Sequence, residues 1–321
     1  MKRISRILTL NLTVTLMWFA PGEALAKPIS LKSCRKVGDQ DQVLILLDAT
    51  GQVVREEGKS VGLALEGEFE LHEKLLALPG AENQSARSVR YYDKARGLVR
   101  EGEWSEESTL TETNRLLTVS AEKSGLLLAP PREAISHREL ELVTLPFDPL
   151  VVEGILPSTP VEKDAQWQVD GSLLKTLLNI EAVAESEVTC RLMEVKDGLA
   201  RISLEGKLAG AMQGAATDIE LKGKIRFNLE KRRIDWVAIL IKEERGASRV
   251  EMGFSAVARL QMQVFPNSKS EKLSAKSLDG IDLSAGHANT LFRHEGPKGL
   301  WRLLHDRRWT AVNQDDNQAV F

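Results

Sequence analysis

From Thr217 to Glu230 the chain alternates without a break. Ile219, Leu221, Gly223, Ile225, Phe227 and Leu229 take one side, and Glu220, Lys222, Lys224, Arg226, Asn228 and Glu230 the other. A period of two sustained over that length fits an extended strand with one buried and one wet face. Such a strand cannot stand alone, so its neighbours must be strands as well. Leu199 to Gly210 precedes it with Ile202, Leu204 and Leu208 on one face, and Asp197-Gly198 just before that is a strong hairpin signal. Ile234 to Ile241 and Ala256 to Val264 continue the series, with the basic turn Glu230-Lys-Arg-Arg233 between the third strand and the fourth. About Glu187 to Phe265 therefore reads as five long strands in an antiparallel meander, whose apolar side must be covered.

One short helix is expected to do part of that covering. Asp170 offers an N-cap to Leu173–Leu178, whose leucines leave one polar edge. The N-terminal half is β-like with less regularity: Val61, Leu63, Leu65, Phe69 and Leu71 alternate with Glu66, Glu68 and Glu70. Further strands are expected at Val43–Leu47, Ser88–Tyr92, Arg115–Ser120 and Leu140–Leu145, and Tyr91–Arg96 reads as a strand end entering a turn. The two halves are pieces of one large sheet or two sheets side by side. Pro146, Pro149, Pro157 and Pro160 crowd the passage between them. The fold class is mainly β (α+β), with long antiparallel meander sheets, a half-barrel as one form they can take, and one short covering helix.

The first 26 residues constrain the address. Met1–Arg6 is cationic, Ile7–Ala20 is an uncharged and largely apolar run, and Pro21 then Ala24-Leu25-Ala26 complete the pattern of a secretory signal peptide cut near Ala26. No other stretch approaches the roughly 20 apolar residues of a spanning helix. The expected location is the periplasm or the extracellular space. In Leu31-Lys-Ser-Cys34 a charge sits inside the would-be lipobox, well past the apolar core, which argues against lipidation. Removing Lys2, Arg3, Arg6 and Glu23 takes three cations and one anion, so the formal charge goes from −3 to −5. A mildly acidic chain with dispersed Lys and Arg argues against nucleic acid as a partner. In an oxidising compartment Cys34 and Cys190 permit a disulfide, which would stabilise by roughly 4–5 kcal/mol in the chain-entropy model. The alternative is that Cys190, sharing a strand face with Val188 and Leu192, is a buried thiol.

The organisation expected is a signal peptide at 1–26, an N-terminal β-rich region at 27–148, a central meander with its helix at 149–265, a Ser- and Lys-rich linker at 266–286, and the start of a truncated α/β module at 287–321. The basis for the last is strand-like apolar runs that stop at Phe321.

No motif announces chemistry. A phosphate-cradling glycine loop, His-Glu-x-x-His and Cys-x-x-Cys are all missing. His137, Glu139 and Glu141 alternate, so in a strand they share a face that suits a divalent metal or, far more simply, solvent. His305-Asp306 precedes Trp309, and adjacent strand residues point to opposite faces, so a charged turn is the simpler reading. No catalytic residue, metal site or cofactor is assigned.

The markers Trp167, Leu173–Leu178, Ala200–Gly206, Gly214–Leu221, Arg226-Phe227 and Ile239–Arg245 resemble a group of uncharacterised exported β-rich proteins of planctomycete-type bacteria. That resemblance implies an extracytoplasmic β-rich protein and carries no catalytic residues. The Gly299–Trp309 segment is similar to the opening hairpin of PsbP/Mog1-like domains, small α/β sandwiches that often serve as binding modules. The leading functional expectation is a non-enzymatic binding or scaffolding protein whose partner is an envelope protein or an apolar ligand. In the carrier variant Ile219, Leu221, Ile225, Phe227, Leu240, Leu260 and Met262 line a cavity. The rival class is a hydrolase whose site is assembled only in space.

Overall fold

The computed structural model describes residues 27–54, 59–79, 85–212, 214–247, 253–284, 290–296, 301–309, 313–314 and 319–320, with side chains described as far as 309. The signal-peptide reading falls outside the described residues. The first meander comprises β1 (Gln40–Val54), β2 (Ser60–Ala77), β3 (Arg87–Glu101), β4 (Trp104–Thr109), β5 (Leu116–Glu122) and β6 (Gly125–Ala129). A crossing segment follows with α1 (His137–Val143), the short β7 (Gln166–Gln168) and α2 (Gly171–Leu178). The second meander comprises β8 (Ala182–Ser186), β9 (Thr189–Lys196), β10 (Leu199–Met212), β11 (Ala215–Asn228), β12 (Arg233–Arg245) and β13 (Gly253–Pro266).

All of these strands belong to one open antiparallel sheet in the order β6-β5-β3-β2-β1-β13-β12-β11-β10-β9-β7, with β4 paired to β3 and β8 to β10. Of the two arrangements the sequence left open, the molecule adopts the single large sheet. The join is β1 against β13, in register from Asp41↔Pro266 to Val54↔Gly253. The expected strands at Thr217–Glu230, Leu199–Gly210, Ile234–Ile241 and Ala256–Val264 all form. Asp197 and Gly198 make the two-residue β9–β10 turn, both with positive φ (53° and 73°), the geometry that matches the strand twist and favours Asp-Gly. The cap of α2 is Asp170, whose carboxylate accepts from the backbone N–H of Ser172 and Leu173.

Only one face of the sheet, the inner one, carries the core. Leu71, Tyr92, Leu117, Leu204, Leu221, Phe227, Val237, Leu260 and Met262 from both meanders lie in one apolar cluster. It is sealed by Leu31, Phe147, Leu150, Val152 and Ile155 and by Leu174 and Leu177 of α2. Each such side chain fully buried stabilises by about 1.5–3 kcal/mol.

A buried charge network fastens the crossing segment over the β1–β13 join. Arg90 donates bidentately to Asp148 (2.7 and 2.5 Å) and through Nε to Glu73 (2.8 Å), which also accepts from Ser88 (2.9 Å) and from Arg35. Arg35 further donates to the Pro149 carbonyl (3.2 Å), and Arg233 binds Asp41 (2.7 Å) and Glu153 (2.7 Å). Burial opposes ionisation of Glu73, but Arg90 and Arg35 outweigh it and hold its carboxyl down to about 2.

Three local readings are corrected. Ser136–Leu142 and the expected strand Leu140–Leu145 are not β: Ser136 caps helix α1 in a capping box with Glu139. Tyr91–Arg96 is not a strand end, because it lies inside β3, where Asp93 is the extra residue of a bulge opposite Glu70 and Leu71. Leu240 pairs with Lys222 and Arg259 on the outer face, while Ile239 and Ile241 point inward. The segment after β13 lies against β1–β3. Leu273 is fully buried, Lys74 donates to the Leu273 carbonyl, and the Lys272 ammonium stands 5.2 Å from the Tyr91 ring centre. A further hairpin, Leu291–Glu295 with Arg302–Asp306, docks beside α1 through a parallel bridge between Ile135 and Phe292.

Candidate functional site

Along β1, β2 and β3 the inner face is packed at one end and open at the other. Val43, Ile45, Phe69, Leu71 and Tyr92 are buried; beyond them Leu47, Leu65 and Val99 are only half covered. Register explains the change. Leu47 faces Gly67, and Gly67 faces Gly97, so two neighbouring strands present no side chain at the same level. The result is a cleft of about 500 Å³, floored by Leu47, Leu65, Gly67, Phe69, Gly97 and Val99, walled by Trp104, Glu106 and Ser108 of β4, and roofed by Leu142, Thr144 and Leu145. Trp104 is 51% exposed at its mouth. Its volume and mainly apolar lining with a few polar groups match a small-molecule site.

The roof is held from its polar side. Arg138 donates to Ser108 Oγ (2.7 Å) and to the Glu107 carbonyl (2.5 Å), and pairs with Glu106. Glu139 accepts from Thr111 N (3.0 Å) and Oγ1 (2.7 Å), from Asn114 (2.9 Å) and from Ser136. Burial opposes charge on Glu139, yet the hydrogen bonds from Thr111 and Ser136 prevail and keep its carboxyl below its ordinary range. On the other side Leu142 comes so close to β3 that a Cβ on Gly97 would stand 2.8 Å from its Cδ1.

The expected metal face dissolves with the strand. In the helix His137 meets Glu141 (Nδ1 to Oε2, 3.4 Å), both largely exposed, while Glu139 turns inward as a cap. The Glu141 carboxylate, more than burial opposes it, raises the His137 pKa. The ring of His137 lies 5.0 Å from that of Phe292. No group of three His, Cys, Asp or Glu among the described residues is placed to hold a metal ion. His305 is buried in the terminal hairpin, its Nδ1 3.0 Å from the Asp306 carbonyl.

The residues expected to line a cavity meet different fates. Leu221, Phe227, Leu260 and Met262 sit in the packed core. Ile219 and Ile225 are equally buried, each beneath a separate surface hollow. Leu240 is on the other face. Cys34 is exposed, its thiol donating to the Lys231 carbonyl (3.3 Å), and Cys190 is fully buried in the core; both are free thiols. Burial pushes the Cys190 thiol up to about 12. The cleft residues Leu47, Leu65, Phe69 and Val99 went unassigned because their strands read only as strands. The available signal was two glycines, Gly67 and Gly97, interrupting apolar strand faces.

No family model matches the chain, and no curated protein does. Among solved structures, lipovitellin is similar over 75% of this chain at 9% identity with a TM-score of 0.40, and the chain spans only 26% of its length. An outer membrane channel from Pseudomonas putida F1 is similar over 73% of this chain and 97% of its own (9% identity, TM-score 0.28). A DUF1329 family protein from Desulfovibrio piger is similar over 76% and 93% (10% identity, TM-score 0.21).

Proposed function

We propose that this protein is a non-enzymatic binder of an apolar, lipid-like ligand, held in the cleft between β1–β4 and α1. The observation that carries the reading is apolar surface left open on β1–β3 where the inner rows of β11 and β12 are sealed. Leu47, Leu65 and Val99 stay half covered beside the exposed Trp104, in a space large enough for a small molecule. The polar groups stand at the rim, where Glu106, Arg138 and Glu141 would face the hydrophilic end of an amphiphile. The pattern of residues 1–26 supports an exported protein, and sequencing the N-terminus of protein recovered from a secreting host tests cleavage before Lys27.

The binding test is fluorescence titration with neutral phenylnaphthylamine. Saturable enhancement is expected, and Val99→Trp, which fills the cleft, and Leu65→Glu, which charges its floor, should each weaken it at least tenfold. Enhancement indifferent to both substitutions, or no enhancement, overturns the reading. Native mass spectrometry of the exported protein adds the ligand itself, as mass removed by organic solvent.

A further inference from the structure

The outer face of β9–β12 carries a second hollow of different chemistry. Two β-bulges lie at one level of the sheet. Arg201 pairs with Glu194 while Ile202 pairs with Leu192, which leaves Met193 as an extra residue; Arg226 pairs with Trp236 while Phe227 pairs with Ile234, which leaves Asp235 extra. Bulges bend their strand and re-aim side chains, and they gather beside functional sites. Between these two the surface opens into a hollow of about 780 Å³ whose lining includes Met193, Arg201, Ser203, Lys224, Arg226 and Trp236. Met193 is 44% exposed there.

The charge here runs against the chain as a whole, which carries −3. Lys163, Arg201, Lys224 and Arg226 line the hollow with Glu194 as the lone carboxylate in the lining. Arg201 is paired with Glu194, and Arg226 with Asp235 at 2.6 Å, so each guanidinium group has a carboxylate partner. Lys224 is exposed.

We propose that this hollow binds a small anion with a flat apolar body, such as an aromatic carboxylate or sulfonate. Its ring would lie against the Trp236 indole and the Met193 thioether, contacts that suit a polarizable flat surface. Its anionic group would be met by Lys224, with Lys163 as the second lining cation, since Arg201 and Arg226 are each offset by a carboxylate. The site is separate from the inner cleft in position and in charge, so either stands without the other.

The probe is anilinonaphthalene sulfonate, an anionic aromatic, titrated beside neutral phenylnaphthylamine. Lys224→Glu is expected to weaken the sulfonate at least tenfold and leave the neutral probe unchanged. Trp236→Ala should weaken the sulfonate as well, and added salt should weaken it progressively. Val99→Trp, in the inner cleft, should leave the Lys224-dependent binding intact. Sulfonate affinity indifferent to Lys224→Glu overturns the proposal, as does loss with Val99→Trp alone, which would assign the probe to the inner cleft. Lys224 is a surface residue of a long paired strand, so its variant keeps the fold, and circular dichroism checks this.

Discussion

The inner rows of β11 and β12 run Ile219, Leu221, Ile225, Phe227 and Val237, Ile239, Ile241, and every one of these side chains is sealed. The inner rows of β1, β2 and β3 begin the same way and then lose their cover after Ile45, Phe69 and Ala95. Both regions have a period of two, so alternation alone does not separate a dry core from an open cleft. What separates them is the Gly67–Gly97 pair, which removes volume from the floor, and a roof that touches it chiefly through Leu142 and Leu145.

The largest effects should come from the charge network that ties the regions together. Arg90→Ala leaves Asp148 and Glu73 buried without their main partner and should cost about 3–5 kcal/mol in urea unfolding. A loss under about 1 kcal/mol would mean that water replaces the guanidinium and that the join is looser than its burial implies.

Next comes the direct contrast between the two inner faces. Phe227→Ala should cost about 3–5 kcal/mol, since it empties a packed site. Leu65→Ala, at the half-covered cleft, should cost about 1 kcal/mol or less. Equal losses would erase the distinction between a filled and an unfilled face.

Acid should act on the join. The Glu73 carboxyl is held below its ordinary value of 4.5, so the stability it contributes is present above about pH 4.5 and is lost as pH falls toward 2. Thermal melts across that window should show Tm dropping, and Glu73→Gln should flatten the drop even though its starting stability is lower.

The smallest effect concerns thiols. At pH 8 Cys34 should react readily with a maleimide, while Cys190, buried and pushed up to about 12, should stay unlabelled until the protein unfolds. Cys34→Ser should leave stability within about 0.5 kcal/mol. Absence of any labelling in protein recovered from a secreting host would point to a disulfide and a rearranged N-terminal segment.

Much of the sheet was legible because its signals are local. Strand β11, the Asp197-Gly198 turn and the Asp170 cap each follow from residues a few positions apart. Helix α1 was legible too, in Ser136-x-x-Glu139, but the alternation of His137, Glu139 and Glu141 fits a strand equally well over so short a window. In β12 the run from Trp236 to Ile241 is apolar at every position, so it hides its inner face, and only pairing with Lys222 and Arg259 turns Leu240 outward. The charge network left a partial trace: Glu73 falls on the same face as Leu71 and Leu75, an inward charge that requires a partner. Its charged partners come from positions 35 and 90, Arg90 is shared with Asp148, and no local pattern connects them.

By itself the sequence determined the class of object: long amphipathic strands, their tight turns, and a capped leucine-rich helix. These depend on side-chain period and backbone preference within a few residues. Only the tertiary structure decided that β1 meets β13, that the crossing segment seals one stretch of the inner face and leaves another open, and that two bulges shape a cationic hollow on the outer face. Those outcomes rest on which residues far apart in the chain share a register, and on the volume left when they do.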